Sequence, residues 1–183
     1  MRFLFLCFVL AAFAAPAVRA QTRASDEARP SPNALVGQTI GTADVTLTYG
    51  RPSVRGRDVF GPDTTSLVPF GQVWRLGANE ATTITVSAPV RVAGQPLEAG
   101  TYAVFAIPGA SEWTFIFNRV ATQWGAYRYD AAQDALRVTA TPQAFPHSVE
   151  TFEIGFDDVS EAGATLTFTW DRVRVPVRIE AGA

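Results

Sequence analysis

The chain contains no lysine, one histidine (His147), one cysteine (Cys7) and one methionine. Without lysine there is no Schiff-base nucleophile and no lysine base, and a Walker-type phosphate loop would lack its cation. One histidine leaves little for a zinc site or a Ser-His-Asp triad. His147 itself sits in Phe145-Pro146-His147-Ser148 between loop signals, where a lone imidazole is read as a solvated side chain. Charge is sparse as well. Charged residues make up 17% of the chain, all 15 basic residues are arginine, and the net charge is -2. Nucleic-acid binders usually carry a basic patch or stripe, so no nucleic-acid partner is expected. Asp157-Asp158 lack the spacing of a calcium loop, and neither a metal nor a cofactor is expected.

Against these absences, 48% of the 183 residues are hydrophobic, which excludes disorder as the main state and suits one folded domain. At this length a single core buries roughly 70% of the unfolded chain's surface, so no disulfide or metal staple is needed. The first twenty residues read as an export signal. Arg2 supplies a positive start, residues 3–15 are uncharged and apolar, and Pro16 breaks the run. Val18-Arg19-Ala20 then offers a peptidase site with cleavage before Gln21. The run is too short to span a bilayer, which takes about 20 apolar residues. Cys7 lies inside the run, not after it, so it is not a lipid-anchor cysteine. The expected mature chain has no cysteine, no transmembrane segment, and a periplasmic or secreted location. Residues 21–32 contain no large apolar group and read as a flexible leader.

From about Leu35 onward the dominant period is two. Val45, Leu47 and Tyr49 alternate with threonines, as do Ile84 and Val86, and later Leu166, Phe168 and Trp170. Shorter runs surround Val90–Val92, Trp113–Phe117, Leu136–Val138 and Phe152–Phe156. This alternation places one face on a core and the other in water. Residues 102–107 are apolar on both faces, which marks a central strand. Ala93-Gly94-Gln95-Pro96 closes a hairpin, and other turn signals recur about every ten residues. The expected fold is all-β: a single-domain antiparallel β-sandwich over residues 33–180, with long loops, at most one short helix, and a tail at 181–183. Asp130 is placed to cap that short helix. Pro176 cannot donate to a ladder, so the last strand should be an edge or bulged there. Arg172, Arg174 and Arg178 on that strand read as outward charges that discourage edge pairing.

Three segments break the strand pattern and concentrate arginine, aromatics and glycine: residues 49–61, 68–82 and 118–130. Long irregular loops often carry function. Arg51, Arg55, Arg57, Trp74, Arg75, Asn79, Glu80, Trp124 and Tyr127 are the candidate ligand-binding residues. An aromatic face offers an apolar platform, and a guanidinium fork holds carboxylate or phosphate. No catalytic residue is assigned. The competing reading makes these residues anchors: Arg51, Arg57 or Arg75 would pair with Asp58, Asp63 or Glu80, and Trp74 and Trp124 would plug the sandwich ends. On the binding reading, Trp74→Ala or Arg75→Ala removes binding and leaves the fold largely intact.

The string Arg51-Pro-Ser-Val-Arg-Gly-Arg57, with Pro69-Phe-Gly-Gln-Val-Trp-Arg75, Gly77-Ala-Asn79, Ala99-Gly-Thr-Tyr102, Glu112-Trp-Thr114 and Trp124-Gly-Ala-Tyr127, resembles the bacterial family called domain of unknown function 2911. The resemblance covers about residues 31–179 and rests on the motifs in combination. It implies a secreted or envelope protein of Bacteroidetes-like bacteria and transfers no catalytic residue. Arg55 stands where members of that family often have lysine, which keeps the charge.

The expected function is a non-catalytic envelope binder of a small polar, glycan-like or anionic ligand, or of an envelope protein. Two alternatives stand beside it. One is a carboxylate-based hydrolase of envelope glycans, in which Glu80 works with Asp58 or Asp63 at the separations such chemistry needs. The other is a purely structural envelope module.

Overall fold

The computed structural model describes residues 28–182. The expected export signal, its expected cleavage site and most of the expected leader lie outside the described residues. Among the described residues, twelve strands and one 3-10 turn make up the fold. Among the described residues no helix is long and apolar enough to cross a membrane.

The first sheet has six strands: β1 (Asn33–Ile40), β2 (Ala43–Gly50), β5 (Thr82–Val86), β8 (Gly100–Ile107), β9 (Trp113–Asn118) and β10 (Asp134–Ala140), in that spatial order. Every neighbouring pair is antiparallel. The second sheet runs β11 (Gln143–Ser160), β12 (Gly163–Ala181), β6 (Val90–Val92) and β7 (Gln95–Leu97). The β6–β7 hairpin turns through Ala93 and Gly94, both at positive φ, the turn geometry that matches strand twist. A two-residue parallel pair, β3 (Phe60–Gly61) with β4 (Val68–Pro69), departs from the antiparallel expectation. It is a clip between two loop segments and adds no sheet layer.

The alternation seen in the sequence explains the core. Val45, Leu47, Ile84, Val104, Phe115 and Phe117 face inward from the first sheet and meet Phe152, Ile154, Leu166, Phe168, Val177 and Ile179 from the second. Each such side chain contributes about 1.5–3 kcal/mol by leaving water. Strand β8 is buried on both faces, as its two-sided apolar pattern requires. Ala103 and Phe105 point away from the main core and join Ala81 and Ile116 in a second cluster. Ala126 and Tyr129, from the loop after β9, cover that cluster. The third irregular segment is therefore packed onto the back of the central strands.

Strand β12 is an interior strand of its sheet, yet Pro176 costs it nothing. Pairing with β11 ends at Arg174, and pairing with β6 begins only at Ile179. The proline occupies the unpaired interval. The long strands bend at register shifts, and the end of β12 returns to its own beginning: the Ala181 N–H donates to the Ala162 carbonyl at 3.0 Å. Ala181, expected in the tail, pairs with Val90.

Asp130 caps the 3-10 turn at Ala131–Gln133, accepting from the Ala132 N–H. The segment from Arg29 to Pro32, read from sequence as part of a flexible leader, is held against the domain. The Pro32 carbonyl accepts from the Arg51 N–H at 2.9 Å, and the Ser31 carbonyl from the Asn79 side chain at 2.9 Å. Apolar burial was the wrong criterion for this segment, because polar contacts hold it.

Candidate functional site

The irregular segments converge. A cavity of about 360 Å³ is lined by Ser31, Pro52, Arg57, Leu67 and Val68, by Trp74, Arg75 and residues 77–79, and by Trp124 and Trp170. All three arginine- and aromatic-rich segments contribute to the wall, and Trp170 reaches it from β12.

Backbone geometry brings them together. Residues 76–79 lie against the end of β2, where the Ala78 N–H donates to the Gly50 carbonyl at 3.2 Å. Only glycine permits this approach. A Cβ on Gly50 would sit 2.2 Å from the Ala78 carbonyl oxygen, and one on Gly77, whose φ is +154°, would sit 2.8 Å from the Gly50 oxygen. Leu76 and Asn79 also hold positive φ, at 51° and 65°. A leucine there is uncommon and must be over-determined by its surroundings. The Thr82 hydroxyl holds it by donating to the Leu76 carbonyl at 2.6 Å.

The floor is aromatic. Trp74 stacks on Trp170 with ring centroids 5.9 Å apart at 16°, and Phe60, Trp113 and Phe152 close around it edge-on. Trp74 is only 8% exposed, and its indole N–H donates to the Gly77 carbonyl. It is a core residue that also forms cavity wall, so the expectation that Trp74→Ala leaves the fold intact does not hold.

The arginines divide into two kinds. Arg51 reaches the Phe152 carbonyl and pairs with Glu153 at 3.0 Å, away from the cavity. Arg55 holds the Pro30 carbonyl and also lies off the wall. Arg57 and Arg75 line the cavity, and among the described residues neither has a carboxylate partner. Arg57 donates to the carbonyls of Val54 and Ser53 at 3.0 and 2.7 Å. Arg75 donates through one terminal nitrogen to the Asn79 carbonyl at 3.0 Å, and its guanidinium lies 5.9 Å from the Tyr127 ring centroid. None of the pairs expected with Asp58, Asp63 or Glu80 forms.

Glu80 is engaged elsewhere. Both its oxygens accept from Arg29, at 2.8–3.0 Å, in a largely buried pair. It does not line the cavity, and no carboxylate does among the described residues. His147 is exposed beside Phe145. No group of three or more His, Cys, Asp or Glu stands ready for a metal among the described residues.

Trp124 and Tyr127 are 54% and 81% exposed, yet the backbone on both sides of Trp124 is pinned. The Ala81 N–H donates to the Gln123 carbonyl, and the Gly125 N–H to the Asn79 carbonyl. A polar knot fixes the rest of this loop. Tyr129 donates to Asp134 at 2.7 Å, Arg137 holds both, and buried Asn118 donates to Asp134 and the Asp130 carbonyl. Burial, and then the hydrogen bond and charge of Asp134, raise the Tyr129 phenol above its ordinary value near 10.0.

Five of the nine candidate residues thus share the cavity wall: Arg57, Trp74, Arg75, Asn79 and Trp124. Arg51, Arg55, Glu80 and Tyr127 do not. Sequence reading missed Ser31, because it was counted with the leader, and Trp170, because its place in a regular strand gave no sign that it faces the loop segments. No curated protein and no solved structure matched the chain. The family described as protein of unknown function (DUF2911) matches residues 31–179, a span that contains every residue of the cavity wall, and the chain belongs to that family.

Proposed function

We propose that this protein is a non-catalytic binding protein for a small anionic ligand, whose carboxylate or phosphate enters between Arg57 and Arg75. The observation that carries this reading is their partner accounting. Two guanidinium groups face one cavity, and both hydrogen-bond only to neutral backbone carbonyls. An anion that enters the cavity would meet both guanidinium groups with no carboxylate of the described residues competing for them. The aromatic floor gives such a ligand's apolar part a surface, as small-molecule sites usually do. The hydrolase reading loses support, because Glu80 is committed to Arg29 and, among the described residues, no carboxylate stands at the wall. We place the protein's work in the periplasm or outside the cell, after cleavage near Ala20, on the strength of the apolar run at residues 3–15.

The test uses the three cavity tryptophans as reporters. Inorganic phosphate, citrate and galacturonate are titrated separately into the mature protein at low and high salt. A saturable fluorescence change that weakens with salt is expected for at least one of them. The Arg57→Ala/Arg75→Ala double variant should lose it while keeping its circular dichroism spectrum. No response to any probe, or an equal response in the double variant, overturns the reading.

A further inference from the structure

The binding reading concerns the interior of the cavity. Trp124 belongs to both the interior and the outside: it lines the wall and still leaves about half its surface in water. Exposed large aromatics usually lie on mobile loops or pack down, and this one does neither. Residues 123–125 run against residues 79–81 as a short antiparallel bridge. Three residues on, Tyr127 is even more exposed, with the Arg75 guanidinium near its ring. Gly125 is the condition for that contact. Its φ is +67°, and a Cβ there would lie 2.9 Å from the Tyr127 ring and 3.2 Å from Arg75. The chain has thus kept a glycine where Arg75 and Tyr127 cross it. The result is a pair of exposed aromatic rings that continues from the cavity wall, with Trp124 on pinned backbone and Tyr127 against Arg75.

We infer that the ligand is an acidic oligosaccharide, with one uronate residue in the cavity and the next sugar ring on the shelf of Trp124 and Tyr127. This rests on the anion-binding reading above. The chemistry of the wall matches a sugar better than a wholly apolar molecule. Asn79 spends its side-chain N–H on the Ser31 carbonyl, leaving its side-chain oxygen to accept from a hydroxyl. Ser31 adds a second polar residue at the wall. Arg75 uses one terminal nitrogen on Asn79, so its Nε edge can offer a two-pronged grip to a carboxylate. A sugar ring presents C–H groups on one face, which suit the negative face of an indole, and hydroxyls at its rim, which stay wet. Holding the two rings in place before binding spares the ordering cost that a mobile loop would incur.

The experiment compares chain lengths. Galacturonate and tetragalacturonate form one pair of probes; glucuronate and a hyaluronan tetrasaccharide form the other. Binding is read by calorimetry on the mature protein and on Trp124→Ala and Tyr127→Ala. At least one tetrasaccharide should bind tenfold or more tightly than its monosaccharide, Trp124→Ala should erase that gain, and Tyr127→Ala, which lies off the cavity wall, should leave monosaccharide affinity within about threefold. Tyr127, so exposed that its removal cannot unfold the chain, should lose part of the gain. Equal affinity for monosaccharide and tetrasaccharide, or a gain that survives in both variants, overturns this inference and leaves the anion site standing. Phosphate or citrate binding without any uronate binding does the same. Failure of every anion, short or long, removes the underlying reading as well.

Discussion

Arginine is spent differently in two regions of this molecule. On the β11–β12 hairpin, Arg174 meets Asp157, an acid of the same hairpin, at the surface; Arg172 beside it donates to the Pro146 carbonyl, away from the cavity wall. At the cavity, Arg57 and Arg75 meet carbonyl oxygens and no acid. The residue type is the same, and composition counts all of them alike. The difference lies in what balances the charge. Where a carboxylate does so, the arginine is part of the fold's own surface. Where only dipoles do so, the remaining N–H groups are directed at whatever enters from solvent. Arg29 and Arg51 belong to the first kind, since Glu80 and Glu153 take them up.

Four substitutions sharpen or break this contrast. The largest effect is expected at the cavity floor. Trp74→Ala should cost about 3–5 kcal/mol in urea unfolding, as truncating a buried aromatic does. A loss under about 1 kcal/mol would show that the stacked rings serve the cavity more than the core. Next comes Glu80→Ala, which leaves Arg29 without its acid and should cost on the order of 2 kcal/mol. Hydrogen exchange should rise at the Arg51 amide, which donates to the Pro32 carbonyl, since that anchor is gone; unchanged protection there would mean that the Asn79 bond to Ser31 is enough to hold the segment. The smallest effect is expected on the hairpin. Arg174→Ala breaks a half-exposed pair and should cost about 0.5 kcal/mol or less. It should also leave anion titrations unchanged, whereas Arg75→Ala, of similarly small thermal cost, should weaken them. If the two variants behave alike toward anions, the division between the two kinds of arginine fails.

Much of the sandwich was legible because alternation is a local property. Val45-Thr46-Leu47-Thr48-Tyr49 can bury one face only as a strand, and residues 102–107, apolar on both faces, can only be central. The first strand, β1, was less distinct, since Leu35 and Val36 are adjacent and Leu35 points into water. At the candidate site, the three irregular segments announced themselves by composition. Which of their residues meet did not, because the partners lie far apart in the chain. Glu80 finds Arg29 and not Arg51, and Arg51 finds Glu153, a hundred positions on. Trp74 illustrates the limit well. In sequence it belongs to a loop motif; in the fold it stacks on Trp170 and becomes core.

The sequence alone determined the class of fold, the strand that must be central, the turn at Ala93-Gly94 and the cap at Asp130. Each of these depends on neighbours within a few residues, where backbone sterics and burial of one face leave a single good solution. Only the tertiary structure decided which arginines keep their charge for the cavity. That choice depends on which carboxylate arrives beside each guanidinium when the sheets close, and electrostatic pairing acts across space without regard to position along the chain.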